Sequence, residues 1–91
     1  MEFKYEAHRI YMEDENGEMI AEIDFPMVED GVVNFNHTYV SDVLRGQGVA
    51  GKLMTAAIEV VIKNGWKMRA SCSYAAGWMT KHPEYSDLQA R

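Results

Sequence analysis

Apolar side chains in this chain alternate with a period of two as far as Val40, and from Val49 to Asn64 they recur at helical spacing. The stretch joining the two periods is Ser41-Asp-Val-Leu-Arg-Gly-Gln-Gly-Val-Ala-Gly-Lys-Leu53, and it holds Gly46, Gly48 and Gly51. Glycines where a strand hands over to a helix let backbone N–H groups face an anion with no Cβ in the way. Three spacings compete here. Gly46-x-Gly48-x-x-Gly51 matches a dinucleotide fingerprint, and Gly46-x-x-x-x-Gly51-Lys52 approaches a nucleotide-triphosphate loop but has Leu53 where a magnesium-ligating Ser or Thr is required. Arg45-x-x-Gly48-x-Ala50 is the third, and a connector without a ligand is the plain alternative to all of them.

Chain context bears on the choice. Ninety-one residues make one small domain, 1–91, with a single core. Dinucleotide folds need two βαβαβ halves and triphosphate folds a parallel sheet covered on both faces, so both are short of chain. A net charge of −5 argues against a nucleic-acid or anionic-membrane partner and suits a cationic or neutral substrate. The lone cysteine, Cys72, rules out an internal disulfide and fits a reducing, cytoplasmic setting. His8, His37, His82 and Cys72 lack paired metal-ligand spacing, so no metal site is expected. No apolar run approaches the ~20 residues of a membrane span, nor the shorter core of a signal peptide.

Taken in order, Phe3 to Met12 reads as a strand with Phe3, Tyr5 and Ala7 on one face. Asn16-Gly17 signals a type I′ turn into a second strand, Met19 to Met27, where Met19, Ala21, Ile23 and Phe25 share a face, Glu22 and Asp24 point away, and Pro26 ends the ladder or marks an edge. Asp30-Gly31 turns into a third strand, Val32 to Val40, placing Val33, Phe35, His37 and Tyr39 together. The helix Val49 to Asn64 shows a polar stripe of Lys52, Thr55, Glu59 and Lys63, and Gly65 stops it. Trp66 to Ser73 is a last strand, parallel to Val32–Val40 through the helical crossover, and Tyr74 to Lys81 is a second helix. Pro83 ends that helix, and the tail to Leu88 is expected to fold back before fraying. The fold class is α+β: an antiparallel three-stranded meander, then helix, parallel neighbouring strand and C-terminal helix.

On His37-Thr-Tyr-Val40, Leu44-Arg-Gly-Gln-Gly-Val-Ala-Gly-Lys-Leu53, Cys72-Ser-Tyr74 and Lys81-His-Pro-Glu-Tyr-Ser-Asp-Leu88, the chain resembles the small single-domain GNAT-like (GCN5-related) N-acetyltransferases. The resemblance implies acetyl-coenzyme A as donor, its pyrophosphate on the glycine loop and its pantetheine arm between two parallel strands that splay apart. It implies Val40, Val43, Arg45, Gly46, Gln47, Gly48, Val49, Ala50, Gly51, Lys52, Ser73 and Tyr74 as coenzyme-binding residues. It also implies His37 and Cys72 as a catalytic pair.

The chemistry is compatible. Acetyl transfer to an amine needs a neutral nucleophile, a place for the oxyanion and a proton for the departing thiol. His37 could serve as base, or equally be a hydrogen-bonded semi-core residue beside Phe35 and Tyr39. Cys72, just ahead of a helix, could be an activated nucleophile forming an acetyl-cysteine, or an inert core thiol with His37 acting alone. Tyr74 is a candidate proton donor to the leaving thiolate. The expected function is acetyl-coenzyme A-dependent N-acetylation of an unidentified amine by a monomer, without metal, nucleic acid or membrane. A coenzyme A-binding module without turnover is the alternative.

Overall fold

The computed structural model describes residues 2–90. Strands β1 (Lys4–Glu6), β2 (Arg9–Glu13) and β3 (Met19–Asp24) join β6 (His37–Val40) in an antiparallel sheet of order β1-β2-β3-β6. A second sheet holds β4 (Met27–Glu29), β5 (Val32–Phe35) and β7 (Lys67–Ala70), with β5 and β7 parallel. Helix α1 (Val49–Lys63) crosses between β6 and β7, and α2 (Ser73–Lys81) follows β7. Among the described residues no helix is long and apolar enough to cross a membrane.

The α+β order stands, but each strand of the expected meander is broken in two. In the first, Ala7 and His8 form a tight turn that folds β1 back on β2, so the inward residues are Ile10 and Met12, while Tyr5 is exposed. The next loop is not type I′, because only Gly17 has a positive φ (80°). Asp14 N donates to Glu18 O, and Asp14 Oδ1 accepts from Asn16 N and Glu18 N, closing a three-residue loop.

The break at Asn36 matters most for the site. Asn34 N donates to Pro26 O, while His37 lies opposite Asp24, so Phe35 and Asn36 together face Phe25. Such a bulge consumes one residue and reverses the facing of everything after it. Val33 and Phe35 point into the core; beyond Asn36 it is Thr38 and Val40 that turn inward, and His37 and Tyr39 that turn out. The expected common face of Val33, Phe35, His37 and Tyr39 is therefore corrected.

Leu53, Met54, Ala57, Ile58 and Val61 of α1 close the core against Ile10, Ile23, Phe25 and Phe35, while Ile62 is half exposed. Gly65, at φ 69°, ends α1 as a C′ residue: its N–H donates to Ile62 O and that of Trp66 to Val61 O, which together satisfy two of the last carbonyls. The tail does not fray at once. Pro83–Leu88 forms 3-10 turns, Gln89 bridges to Met68, and Ala90 N donates to Met68 O at 2.8 Å.

Gly77 lies inside α2 with an ordinary helical φ, and a Cβ there would meet nothing within 4 Å. Gly77→Ala should therefore stabilise the fold by about 0.5–1 kcal/mol through reduced chain entropy. An unchanged or lower urea midpoint would contradict that.

Candidate active site

The glycine loop starts on a firm footing. Ser41 N donates to Ile20 O at 2.8 Å, Val43 N donates to Ser41 Oγ at 3.4 Å, and buried Leu44 anchors a 3-10 turn over Asp42–Leu44. Gly46 (φ 82°) and Gly48 (φ 67°) then take left-handed conformations that admit the backbone into α1. Lys52 N is the first amide to find a helical carbonyl, Gly48 O at 3.1 Å, and no side chain caps Gly48. The amides of Val49, Ala50 and Gly51 thus have no intrahelical acceptor and point out of the helix N-terminus. The first turn of α1 contains no acid. Lys52 stands just beyond it, a cation near the end of the helix that favours anions. Together these groups can hold an anion.

The other expected loop residues divide. Arg45 ion-pairs with Asp42 at 2.9 Å, with both side chains at least 80% exposed, and Val43 is 72% exposed. Gln47 and Val49, with Phe3, Met12 and Lys52, line a recess of about 270 Å³. Next to it a cleft of about 500 Å³ runs past Gly48, Gly51, Lys52 and Thr55 to Trp78 and His82. A Cβ placed on Gly51 would stand 3.8 Å from the Tyr74 hydroxyl oxygen, so α2 reaches the anion corner through Tyr74. Burial raises the Tyr74 pKa, which keeps that hydroxyl a neutral donor. The half-buried Trp78 ring stacks on His82 at 3.8 Å beside this cleft.

A second element is the fork between β6 and β7. The parallel ladder of β5 with β7 ends at Phe35 opposite Ala70, and the Phe35 carbonyl accepts from both Ser71 N (3.1 Å) and Cys72 N (3.0 Å). Asn34 Nδ2 fastens Ser71 Oγ at 2.9 Å. Beyond that point β6 pairs with β3 alone. Ser41 N bonds Ile20 O across this pair, and antiparallel ladders alternate, so Tyr39 and His37 direct their amides toward β3. Thr38 and Val40 turn theirs to the free edge inside the fork.

Cys72 closes the fork as the N-cap of α2, its carbonyl accepting from Ala76 N at 3.0 Å. Its Sγ lies 3.5 Å from Thr38 Oγ1. Burial pushes the thiol pKa up, but hydrogen bonds from the Ala75 amide, the Thr38 hydroxyl, the Tyr74 amide and the Thr38 amide outweigh it, and the net shift is downward. A depressed folded pKa means the thiolate stabilises the fold above the ordinary cysteine value, and that contribution fades as pH falls through the lowered one. Thiolate absorbance should titrate with a midpoint below the unfolded chain's, and Thr38→Val should move it part of the way back up.

His37 does not join Cys72. Neighbouring residues of a strand point to opposite faces, and it is Thr38 that meets the sulfur. His37 Nε2 instead lies 3.9 Å from Glu22 Oε2, on the outer face. With Asp24, these residues form a group whose potential ligand atoms lie within 4.8 Å of one another, a convergence that the spacing of the histidines alone did not reveal. Sequence reasoning also missed Thr38, because its facing depends on the bulge.

Fold and site define a class: a small α+β domain with free helix-N-terminal amides beside two strands that part. The family model described as GCN5-related N-acetyl-transferase matches residues 9–88, and the chain belongs to that family. It is similar to a GCN5-like protein of Staphylococcus aureus solved in solution, with 37% identity, a TM-score of 0.81, and coverage of 98% of this chain and 87% of that one. An acetyltransferase from Bacillus cereus shares the fold at 17% identity and a TM-score of 0.65, over 81% of this chain and 54% of that one. Protein NATD1 of Homo sapiens is 33% identical over 52 residues, 57% of this chain and 46% of the human protein, and the Gallus gallus protein gives the same identity. The chain spans about half the length of these curated relatives.

Proposed function

We propose that this protein transfers an acetyl group from acetyl-coenzyme A to an amine. The diphosphate rests on the amides of Val49, Ala50 and Gly51, in the loop shaped by Gly46, Gln47 and Gly48, with Lys52 alongside, and the pantetheine arm follows the free edge of β6 past Val40 to Thr38. Ser73 and Tyr74 close over it at the start of α2. The nucleotide end has the 500 Å³ cleft toward Trp78 to occupy. Val43 and Arg45 flank the loop and contribute less, because one is in solvent and the other on Asp42.

The observation that carries this reading is the Cys72 sulfur, 3.5 Å from Thr38 Oγ1, at the N-terminus of α2 where the strands part. Donors in that arrangement stabilise negative charge, first on a thiolate and then on a tetrahedral oxyanion. Cys72 accepts the acetyl group by thioester exchange: its sulfur bonds the carbonyl carbon, the bond to the coenzyme sulfur breaks, and the coenzyme leaves as a thiolate that takes up a proton. His37 acts on the acceptor from the outer face, a change from the expected direct pairing with Cys72.

Incubation with acetyl-coenzyme A should add one acetyl group to the wild-type mass and none to Cys72→Ala. Wild type without an adduct, together with full thiol release by Cys72→Ala in the presence of amines, would remove the covalent route. Binding of coenzyme A without amine-dependent thiol release would remove the transferase itself.

A further inference from the structure

We infer that the cleft beside the anion corner reads the base of a nucleotide and is complete without the fork, so that free adenosine diphosphate binds there and shuts out the coenzyme. The inference rests on the diphosphate placement proposed above. It adds the choice of base, the residues that make that choice, and an inhibitory ligand with no pantetheine arm.

The cleft of about 500 Å³ is built by three elements, and its volume is that of a small-molecule site. Phe3 and Tyr5 come from the N-terminal arm, Trp78 and the His82 ring from the end of α2, and α1 with its N-cap lines the rest. Trp78 and His82 are already stacked on each other, whereas Tyr5 is 59% exposed and has no ring partner among the described residues. A flat base can stack on such a ring. Stacking tolerates any base, because every base has a π-face, so the choice among bases falls to a polar group.

That group is Glu59. At one end of the cleft the free amides of α1 and Lys52 favour an anion. Eight residues further along the helix, about 12 Å away, Glu59 is the one acid in the lining. It makes no ion pair or hydrogen bond among the described residues, and the Thr55 hydroxyl between the two ends donates to Gly51 O at 2.9 Å. An ionised carboxylate only accepts hydrogen bonds. The cleft therefore suits a ligand that is anionic at one end and carries N–H donors at the other. Adenine presents an exocyclic amino group at its far edge; hypoxanthine presents a carbonyl oxygen there, which a carboxylate repels. A nucleoside spans the distance from its diphosphate to that edge.

Self-sufficiency follows from the lining. Thr38, Val40 and Cys72 take no part in it, so the fork and the cleft are separate, joined only through the anion corner. A ligand that fills the corner and the cleft competes with coenzyme A while leaving the fork empty.

Adenosine diphosphate, inosine diphosphate and pantetheine are the probes. Adenosine diphosphate should displace coenzyme A competitively and shift the amides of Gly48 to Lys52 and the Trp78 indole, while those of Thr38 and Cys72 stay in place. Inosine diphosphate should bind about tenfold more weakly, the effect of losing one charge-assisted hydrogen bond. Glu59→Gln should bring the two within about twofold, because an amide donates to a carbonyl as well as it accepts from an amino group. Tyr5→Ala should weaken adenosine diphosphate about fivefold or more and leave pantetheine within about twofold. Both side chains are exposed, so both variants should keep the wild-type urea midpoint. Equal affinity of the wild type for the two diphosphates, a preference that survives Glu59→Gln, or shifts confined to other surfaces would overturn the site; acetyl transfer from acetyl-coenzyme A would stand untouched. Binding of adenosine diphosphate with the expected preference, by a protein that transfers no acetyl group, would support the site and overturn the transferase.

Discussion

Phe35→Ala is expected to cost about 3–5 kcal/mol of folding stability. Phe35 is fully buried, its ring stacks on Phe25 at 5.3 Å between centroids, and it ends the strand that pairs with β7. A domain of this size has only about 5–15 kcal/mol in total, so the variant should stand near the edge of unfolding. The loss does not stop at packing. The Phe35 carbonyl holds Ser71 N and Cys72 N, so any movement of the emptied strand end carries Cys72 away from Thr38. Phe35→Leu, which keeps most of the volume, separates the two effects: it should fold at a cost of about 1–2 kcal/mol and keep the depressed thiol titration. A Phe35→Ala protein whose urea midpoint matches the wild type would refute this account of the core.

Gly48→Val should abolish most coenzyme A affinity, a fall of about 10²-fold or more. At φ 67° a β-branched residue is strained by about 1–3 kcal/mol. The chain relieves that strain by leaving the left-handed conformation, which turns the first amides of α1 away from their common point. Two charge-assisted hydrogen bonds at about 1.5–3 kcal/mol each account for the loss. Gly17→Val is the control, since Gly17 has φ 80° in the hairpin between β2 and β3. It should be destabilised to a similar degree and bind coenzyme A as the wild type does. Equal loss of affinity in both would attribute the effect to stability alone.

The sequence carried the parts of this fold whose signals are local. Helix α1 follows from the period between Val49 and Lys63, Gly65 stops it in the expected way, and the strand, glycine loop and helix fall in the expected order. What it concealed are the two places where a strand changes direction while its letters go on alternating. Ala7-His8 has neither Gly, Pro nor Asn to mark a reversal, and alternation in the letters runs on unbroken through it. At Asn36 the letters again alternate smoothly, yet the bulge opposite Phe25 inverts the faces, and register is a property of the partner strand rather than of the segment.

One residue of slip accounts for the largest change at the site. It removes His37 from Cys72, brings Thr38 to the sulfur, and carries His37 to Glu22 and Asp24 on the outer face. The glycine loop was legible because an anion corner needs only backbone conformation, which glycine spacing encodes. The carboxylates were not, since Glu22 and Asp24 read as the solvent side of an alternating strand.

The most direct test of the central claim is a titration of amide-labelled protein with coenzyme A, followed residue by residue. Saturable shifts concentrated at Gly46 to Lys52, at Thr38 and Val40, and at Tyr74 and Ala75 are the predicted result. Shifts confined to other surfaces, or none at millimolar coenzyme, would contradict it.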